Sequence, residues 1–174
     1  MQEENMNRSL ICAACAAALL SFATPNAEAA AASEAQHFLG HTYQRFDGSM
    51  SWDEAKNYCE SLGGHLATIG STTEQDFIRA LIADGQRHVY WLGGERDSEN
   101  NWHWLTESPF AYTNWSENQS VRQESQDDKL IMHRVSPTKE TITPGTWNAI
   151  PAKGDAKELF YGRGHIGFVC EWDK

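Results

Sequence analysis

The chain holds little proline, 5 of 174 residues, and its 13 glycines follow no repeat, so collagen-like, disordered and coiled-coil architectures are excluded. Basic residues are also few. Fourteen Lys plus Arg stand against 24 Asp plus Glu, a formal charge of −10. A surface of that sign repels phosphate backbones instead of releasing their counterions, which excludes nucleic acid as a partner. No apolar run reaches the roughly 20 residues of a membrane span. No Gly-x-Ser-x-Gly occurs, and none of the histidines (His37, His41, His65, His88, His103, His133, His165) forms an i, i+4 zinc pair on a helix. His37 and His41 are four apart but lie ahead of the first strand. What is present is an ordinary globular composition, 40% hydrophobic, with an excess of tryptophan, 7 residues, that a core or a binding face must be using.

Residues 10–22 (LICAACAAALLSF) are the longest apolar run, about 13 residues, the length of a signal-peptide core. Thr24, Pro25 and the small-x-small Ala27-Glu28-Ala29 follow, so residues 1–29 read as a secretory signal peptide, with cleavage after Ala30 or Ala31 as alternatives. The opening MQEENMNRS is acidic where a basic segment is expected, and initiation at Met6 restores Met-Asn-Arg. Cys12 and Cys15 offer a rival lipid anchor, but Cys15 lacks the usual preceding Leu and cutting there leaves half the apolar run in place. Cleavage after Ala29 takes away Arg8, Glu3, Glu4 and Glu28 and leaves a charge of about −8. Only Cys59 and Cys170 remain, and in a secreted chain that pair reads as one disulfide. It closes a loop of about 112 residues, for which chain entropy sets an upper limit near 5 kcal/mol.

Residues 30–36 read as a flexible lead and 37–174 as the domain. Residues 41–46 (HTYQRF) are strand material ended by Asp47-Gly48. Ser51-Trp-Asp-Glu54 is a capping box, and Trp52, Ala55, Cys59 and Leu62 form the buried stripe of the helix it opens; Gly63-Gly64 supplies a left-handed stop. Residues 65–69 make a short strand. Ser71-Thr-Thr-Glu74 repeats the capping logic before a helix with Phe77, Ile78, Leu81 and Ile82 on its apolar face, ending at Asp84-Gly85. Short strands then follow at 89–93, 102–105, 130–134, 146–148 and 167–172. The polar stretches 114–128 and 135–144 are too long to be mere connectors. Helices first and strands with loops after make an α+β domain.

These residues together resemble a known family. Tyr43 to Phe46, Ser51-Trp52, Glu54-Ala55, Tyr58-Cys59, Gly63-Gly64-His65-Leu66-Ala67, Glu74 with Phe77, Trp91-Leu92-Gly93, Trp102 with Trp104, Asn114-Trp115, Gly145 with Trp147-Asn148, and Phe168-Val169-Cys170-Glu171-Trp172 are similar, in order, to the C-type lectin-like domain in the form found in secreted bacterial proteins. The resemblance implies a C-type lectin-like fold with two helices, small antiparallel sheets and a long-loop region, with the termini brought together and Cys59 bridged to Cys170. The family's second disulfide is absent, its positions matching Lys129 and Ala152, and the loops are expected to be held otherwise, for example by Phe160-Tyr161 packing.

The family's calcium-dependent sugar site uses a Glu-Pro-Asn or Gln-Pro-Asp tripeptide, a later acidic residue and a Trp-Asn-Asp. Here the tripeptide falls near Gln119-Ser120-Val121, beside Glu117-Asn118, and the aspartate is Ala149; only Asn148 is kept. Calcium takes six to eight oxygens, so the family-type site is eroded. Glu117, Asp127 and Asn148 are the candidates for a different, weak calcium site, with Glu124 and Asp128 near them, although a solvated acidic loop is the simpler reading. Calcium is thus the one cofactor the sequence raises, and it is not expected at the family's sugar site. Six tryptophans match framework positions, with Trp102 and Trp104 on one strand face and His103 on the other. Trp115, at the entrance to the longest loop, is the one candidate for ligand contact.

An enzyme lacks its parts. The cysteines are paired, and Asp127-Asp128 sit in a polar loop with no apolar pocket to separate their pKa values; a histidine brought beside Ser116 or Ser120 by the fold is the one catalytic pairing that sequence leaves open. The chain therefore reads as a non-catalytic recognition module, secreted or periplasmic, that binds a carbohydrate or protein ligand through residues 114–128 and 135–160 without an intact calcium-dependent sugar site. Ligand contacts are expected at Trp115, Glu117, Asn118, Asp127, Asp128 and Asn148. A calcium-dependent carbohydrate-binding lectin and a structural or surface-assembly protein are the alternatives. No sequence feature speaks to oligomeric state.

Overall fold

Ser51 opens the first helix as its spacing to Glu54 predicts: Glu54 N–H donates to Ser51 Oγ (3.3 Å), and Ser51 N–H donates to Glu54 Oε2 (2.8 Å). The computed structural model describes residues 32–117, 127–135, 142–153 and 163–173. The leader 1–29, the tripeptide region 119–121, Asn118, Glu124 and Phe160-Tyr161 lie outside the described residues. Helix α1 spans Trp52–Ser61 and buries Trp52, Ala55 and Cys59. Leu62, expected as the fourth member of that stripe, is instead 46% exposed, because it caps the helix at φ −91°, ψ 3° and has left the helical path. Gly63 then takes φ +79°, the left-handed stop predicted for it. Gly64 is needed for a different reason, since a Cβ there would meet Glu171 O at 2.4 Å.

The second helix, α2 (Thr72–Ile82), repeats half of that capping logic. Ser71 Oγ accepts from Glu74 N–H, but the Glu74 carboxylate turns away to Gly70 N–H and the Tyr43 hydroxyl. Ile78, Leu81 and Ile82 are buried as expected, with Phe77 at the margin stacked on Phe38.

Among the described residues eight strands form one sheet: β1 (Gln36–Phe38), β2 (His41–Phe46), β3 (His65–Leu66), β4 (Val89–Arg96), β5 (Trp102–Trp104), β6 (Lys129–His133), β7 (Trp147–Ile150) and β8 (Ile166–Trp172). The order is β1-β2-β8-β4-β6-β7, with β3 added on β8 and β5 on β4. The small antiparallel sheets expected are joined by the parallel pairing of β4 with β8, in the register Val89↔Ile166 to Trp91↔Phe168. Residues 32–36, part of the expected flexible lead, run beside β2: Ala32 bridges to Phe46, and Ser33 N–H donates to Arg45 O (2.9 Å).

Side chains alternate along the central strands and so feed two cores. Tyr90, Leu92, Leu130, Met132 and Val169 join Ile78, Leu81 and Trp147; Val89, Trp91, Ile131, Phe168 and Cys170 join Trp52, Cys59 and Ile150. With both faces covered, β4 and β6 are almost continuously buried, the pattern of an interior strand. The Cys59–Cys170 disulfide forms inside the second core, tying α1 to β8. Among the described residues no helix is long and apolar enough to cross a membrane.

Candidate functional site

Trp115 runs alongside β7 as a parallel bridge to Trp147, held by Ser116 N–H to Trp147 O (2.9 Å) and Trp147 N–H to Asn114 O (2.8 Å). Its half-buried ring lies 5.0 Å from that of Trp102 and 6.0 Å from that of Trp147, both between ring centroids. Phe110 and Tyr112 complete the cluster around Trp147. Below it, Trp147 Nε1–H donates to Gln75 Oε1 (2.8 Å), while Gln75 Nε2 and Asn114 Nδ2 both donate to Gly145 O. The Trp115 ring is thus set by a framework that reaches back to α2, with one part left open to solvent.

Asn148 points inward. Its Oδ1 accepts the Ser116 hydroxyl, and both residues are buried. His133, fully buried on β6, also bonds to the Asn148 side chain; burial pushes its pKa down to about 4, against the upward pull of that bond. Ser116 donates to an amide oxygen, which has no basicity to take its proton, so Ser116, Asn148 and His133 are not disposed as nucleophile, relay and base.

Lys129 anchors the far end of the loop. Its Nζ lies 3.2 Å from both Glu95 Oε2 and Asp128 Oδ2, and 4.7 Å from the centroid of the Trp52 ring. Burial pushes the Glu95 carboxyl up, but the bonds and charges of Lys129 and His103 outweigh it and hold it below its ordinary value. Arg96 clasps the same segment through its backbone: Arg96 N–H donates to Asp128 O (2.9 Å) and Nη2 to Asp127 O (3.1 Å).

The residues singled out from sequence therefore have unlike surroundings. Trp115 stands in the aromatic cluster, Glu117 is exposed, and Asp127 and Asp128 are partly buried beside Arg96 and Lys129, whereas Asn148 belongs to the interior network. Sequence reasoning misses Lys129 and His133 as site residues. The family resemblance marks Lys129 only as the place of a lost cysteine, although a lysine directly after Asp127-Asp128 at the start of an apolar run signals a buried cation with partners at hand.

A model of the lectin C-type domain matches residues 48–153. The human C-type lectin domain family 17, member A, is 33% identical over 112 residues, which is 64% of this chain and 26% of that protein. Snaclec 3 of Sistrurus catenatus edwardsii is 34% identical over 89 residues, 46% of this chain and 58% of its own length. The chain thus spans about a quarter of the first and under three fifths of the second. Among solved structures, the Ca2+-independent C-type lectin SPL-2 from Saxidomus purpuratus superposes with a TM-score of 0.62 at 26% identity, covering 81% of this chain and 92% of that one.

Proposed function

The chain belongs to the C-type lectin-domain family, and from that membership we propose that it is a non-catalytic recognition module binding a glycan or protein ligand through the loops that flank β6 and β7, without calcium. The observation that carries the calcium-free reading is the placement of Lys129. Its ammonium already pairs with both Glu95 and Asp128, so an arriving cation would have to displace a partly buried positive charge from its partners. Asn148 supports it: the one retained member of the family's calcium set has its side-chain oxygen engaged by Ser116. The likeness to a lectin described as Ca2+-independent points the same way.

Trp115, Glu117, Asn118, Asp127 and Asp128 are the proposed contact residues, with Asn148 acting from beneath. We read the chain as the secreted bacterial form of the domain, with a signal peptide at 1–29 and the domain at 37–174; that reading rests on sequence, the named relatives being animal proteins. A glycan array probed in calcium and in EDTA tests the proposal. Equal signals in both are expected, and a signal lost in EDTA overturns the calcium-free reading in favour of a calcium-dependent lectin.

A further inference from the structure

The start of β2 and the segment after β8 meet at a cluster that the loop site does not use. His41 opens β2, His65 opens β3, Glu171 lies near the end of β8 and Asp173 follows it. The antiparallel pairings Thr42↔Trp172 and His65↔Glu171 bring these strand ends into line. His41 Nδ1 lies 2.7 Å from Asp173 Oδ1 and 3.0 Å from Glu171 Oε1, and His65 Nε2 lies 3.3 Å from Asp173 Oδ2. Among the described residues no lysine or arginine pairs with either carboxylate, although Glu171 is 1% exposed. Imidazoles are therefore the cation-forming groups that face Glu171 and Asp173 among the described residues.

The hydrogen bonds around the cluster orient it. Leu66 O can only accept, so the His65 Nδ1 at 2.9 Å donates to it, and the other ring nitrogen, Nε2, is the one that faces Asp173 Oδ2 at 3.3 Å. Glu171 Oε2 accepts from both Thr68 N–H (2.8 Å) and Thr68 Oγ1–H (3.0 Å), and the Tyr43 hydroxyl reaches Oε1 (3.3 Å), leaving that oxygen turned toward His41. One ring nitrogen, His41 Nδ1, thus faces oxygens of two carboxylates, more than a single N–H satisfies well. Imidazole and carboxylate ligands backed by an outer shell of hydrogen bonds are the arrangement of a metal site.

We propose that His41 Nδ1, Glu171 Oε1 and Asp173 Oδ1 bind a first-row divalent metal ion of the zinc class, with His65 and Thr68 as positioning residues. These three ligand atoms lie within 4.8 Å of one another. Bonds of about 2.0–2.2 Å at a tetrahedral angle separate ligands by roughly 3.3–3.6 Å, so small side-chain adjustments admit the ion. A nitrogen donor beside two carboxylates favours zinc over calcium, which takes oxygen ligands. The ion clips the start of β2 to the segment after β8. It is a structural staple, separate in the sheet order from the loops beside β6 and β7.

The test uses the full, untagged chain carrying Cys12→Ser and Cys15→Ser, since those thiols would bind zinc by themselves. Calorimetric titration with zinc, and with cobalt as a spectroscopic probe, is expected to give one ion per chain and a higher unfolding temperature. The cobalt spectrum is expected to show no thiolate charge-transfer band. Asp173→Asn and His41→Gln are expected to weaken zinc binding by about 100-fold or more, and His65→Ala by about 10–100-fold, whereas His103→Ala leaves it unchanged. Both substituted ligands are well exposed, 58% for Asp173 and 39% for His41, and circular dichroism checks that the variants fold. Absence of binding would mean that contacts from the histidines alone hold the cluster together. That result overturns the site, as do calcium binding in preference to zinc and zinc affinity equal in the folded Asp173→Asn and His41→Gln chains.

Discussion

Lys129 lays its ammonium 4.7 Å from the ring centroid of Trp52, so the first residue of β6 is tied to the first residue of α1 across 77 positions of sequence. Trp52 in turn donates its backbone N–H to Ala152 O (2.8 Å) and its indole N–H to Leu92 O (2.9 Å). Lys129 and Ala152 are the positions where the family resemblance places a second disulfide. Both touch Trp52 here, and a cation over an aromatic ring with a backbone hydrogen bond stands where a covalent bond is missing.

Replacing Lys129 with Ala removes that cation and leaves Glu95 and Asp128 without their shared partner. We expect a loss of about 1–3 kcal/mol, between the values for exposed and for buried pairs. Urea unfolding measures it. A midpoint within error of the parent would show that the cluster is solvated rather than structural.

Cys59 and Cys170 are fully buried in one core and bridged. The double replacement Cys59→Ala/Cys170→Ala is expected to lower stability by a few kcal/mol, up to about 5, because the unfolded chain regains the freedom of a very long loop. Thermal unfolding with and without reductant reads the same effect on the parent chain, and an unaltered melting temperature after full reduction contradicts it.

His133 gives a pH dependence with a definite sign. In the folded chain it stays neutral down to about pH 4, whereas its ordinary value is 6.5. Between those values the unfolded state binds the extra proton, so stability falls as pH drops from 6.5 toward 4, by up to about 3 kcal/mol, and this contribution then levels off. His133→Gln can keep a hydrogen bond to Asn148 but cannot titrate. Stability profiles of the parent and the variant should therefore diverge only in that interval; parallel profiles refute the assignment.

Trp115→Ala should cost about 2–3 kcal/mol by emptying half of the contact with Trp102 and Trp147, and Trp115→Phe under about 1.5 kcal/mol. Stability and ligand affinity measured together separate the two roles. If Trp115→Phe retains both stability and binding, the indole is framework and the ligand contact lies elsewhere in the loops.

Helix starts were legible because a capping box spans only four consecutive residues. Ser51 and Glu54 act as their spacing required, as does the Gly63 turn. Most strand positions were legible because alternation is also local. The exceptions share a cause: Glu74 leaves its own helix cap for Tyr43, 31 residues away, and Leu62 is lost to solvent by a cap geometry that helical spacing does not encode. The parallel β4–β8 pairing is equally invisible in either strand alone.

The same division holds for function. Sequence by itself determined the family, the identity of the disulfide partners and the framework role of most tryptophans, since these follow from landmarks that stand in order along the chain. Only the tertiary structure decided that Asn148 faces inward, that Lys129 sits between two carboxylates, and that His41 and His65 converge on Asp173 from 132 and 108 residues away. Side-chain chemistry depends on distances of a few ångströms, and a linear spacing constrains those distances only within one helix turn or one strand. Across the sheet they are set by which strands pair.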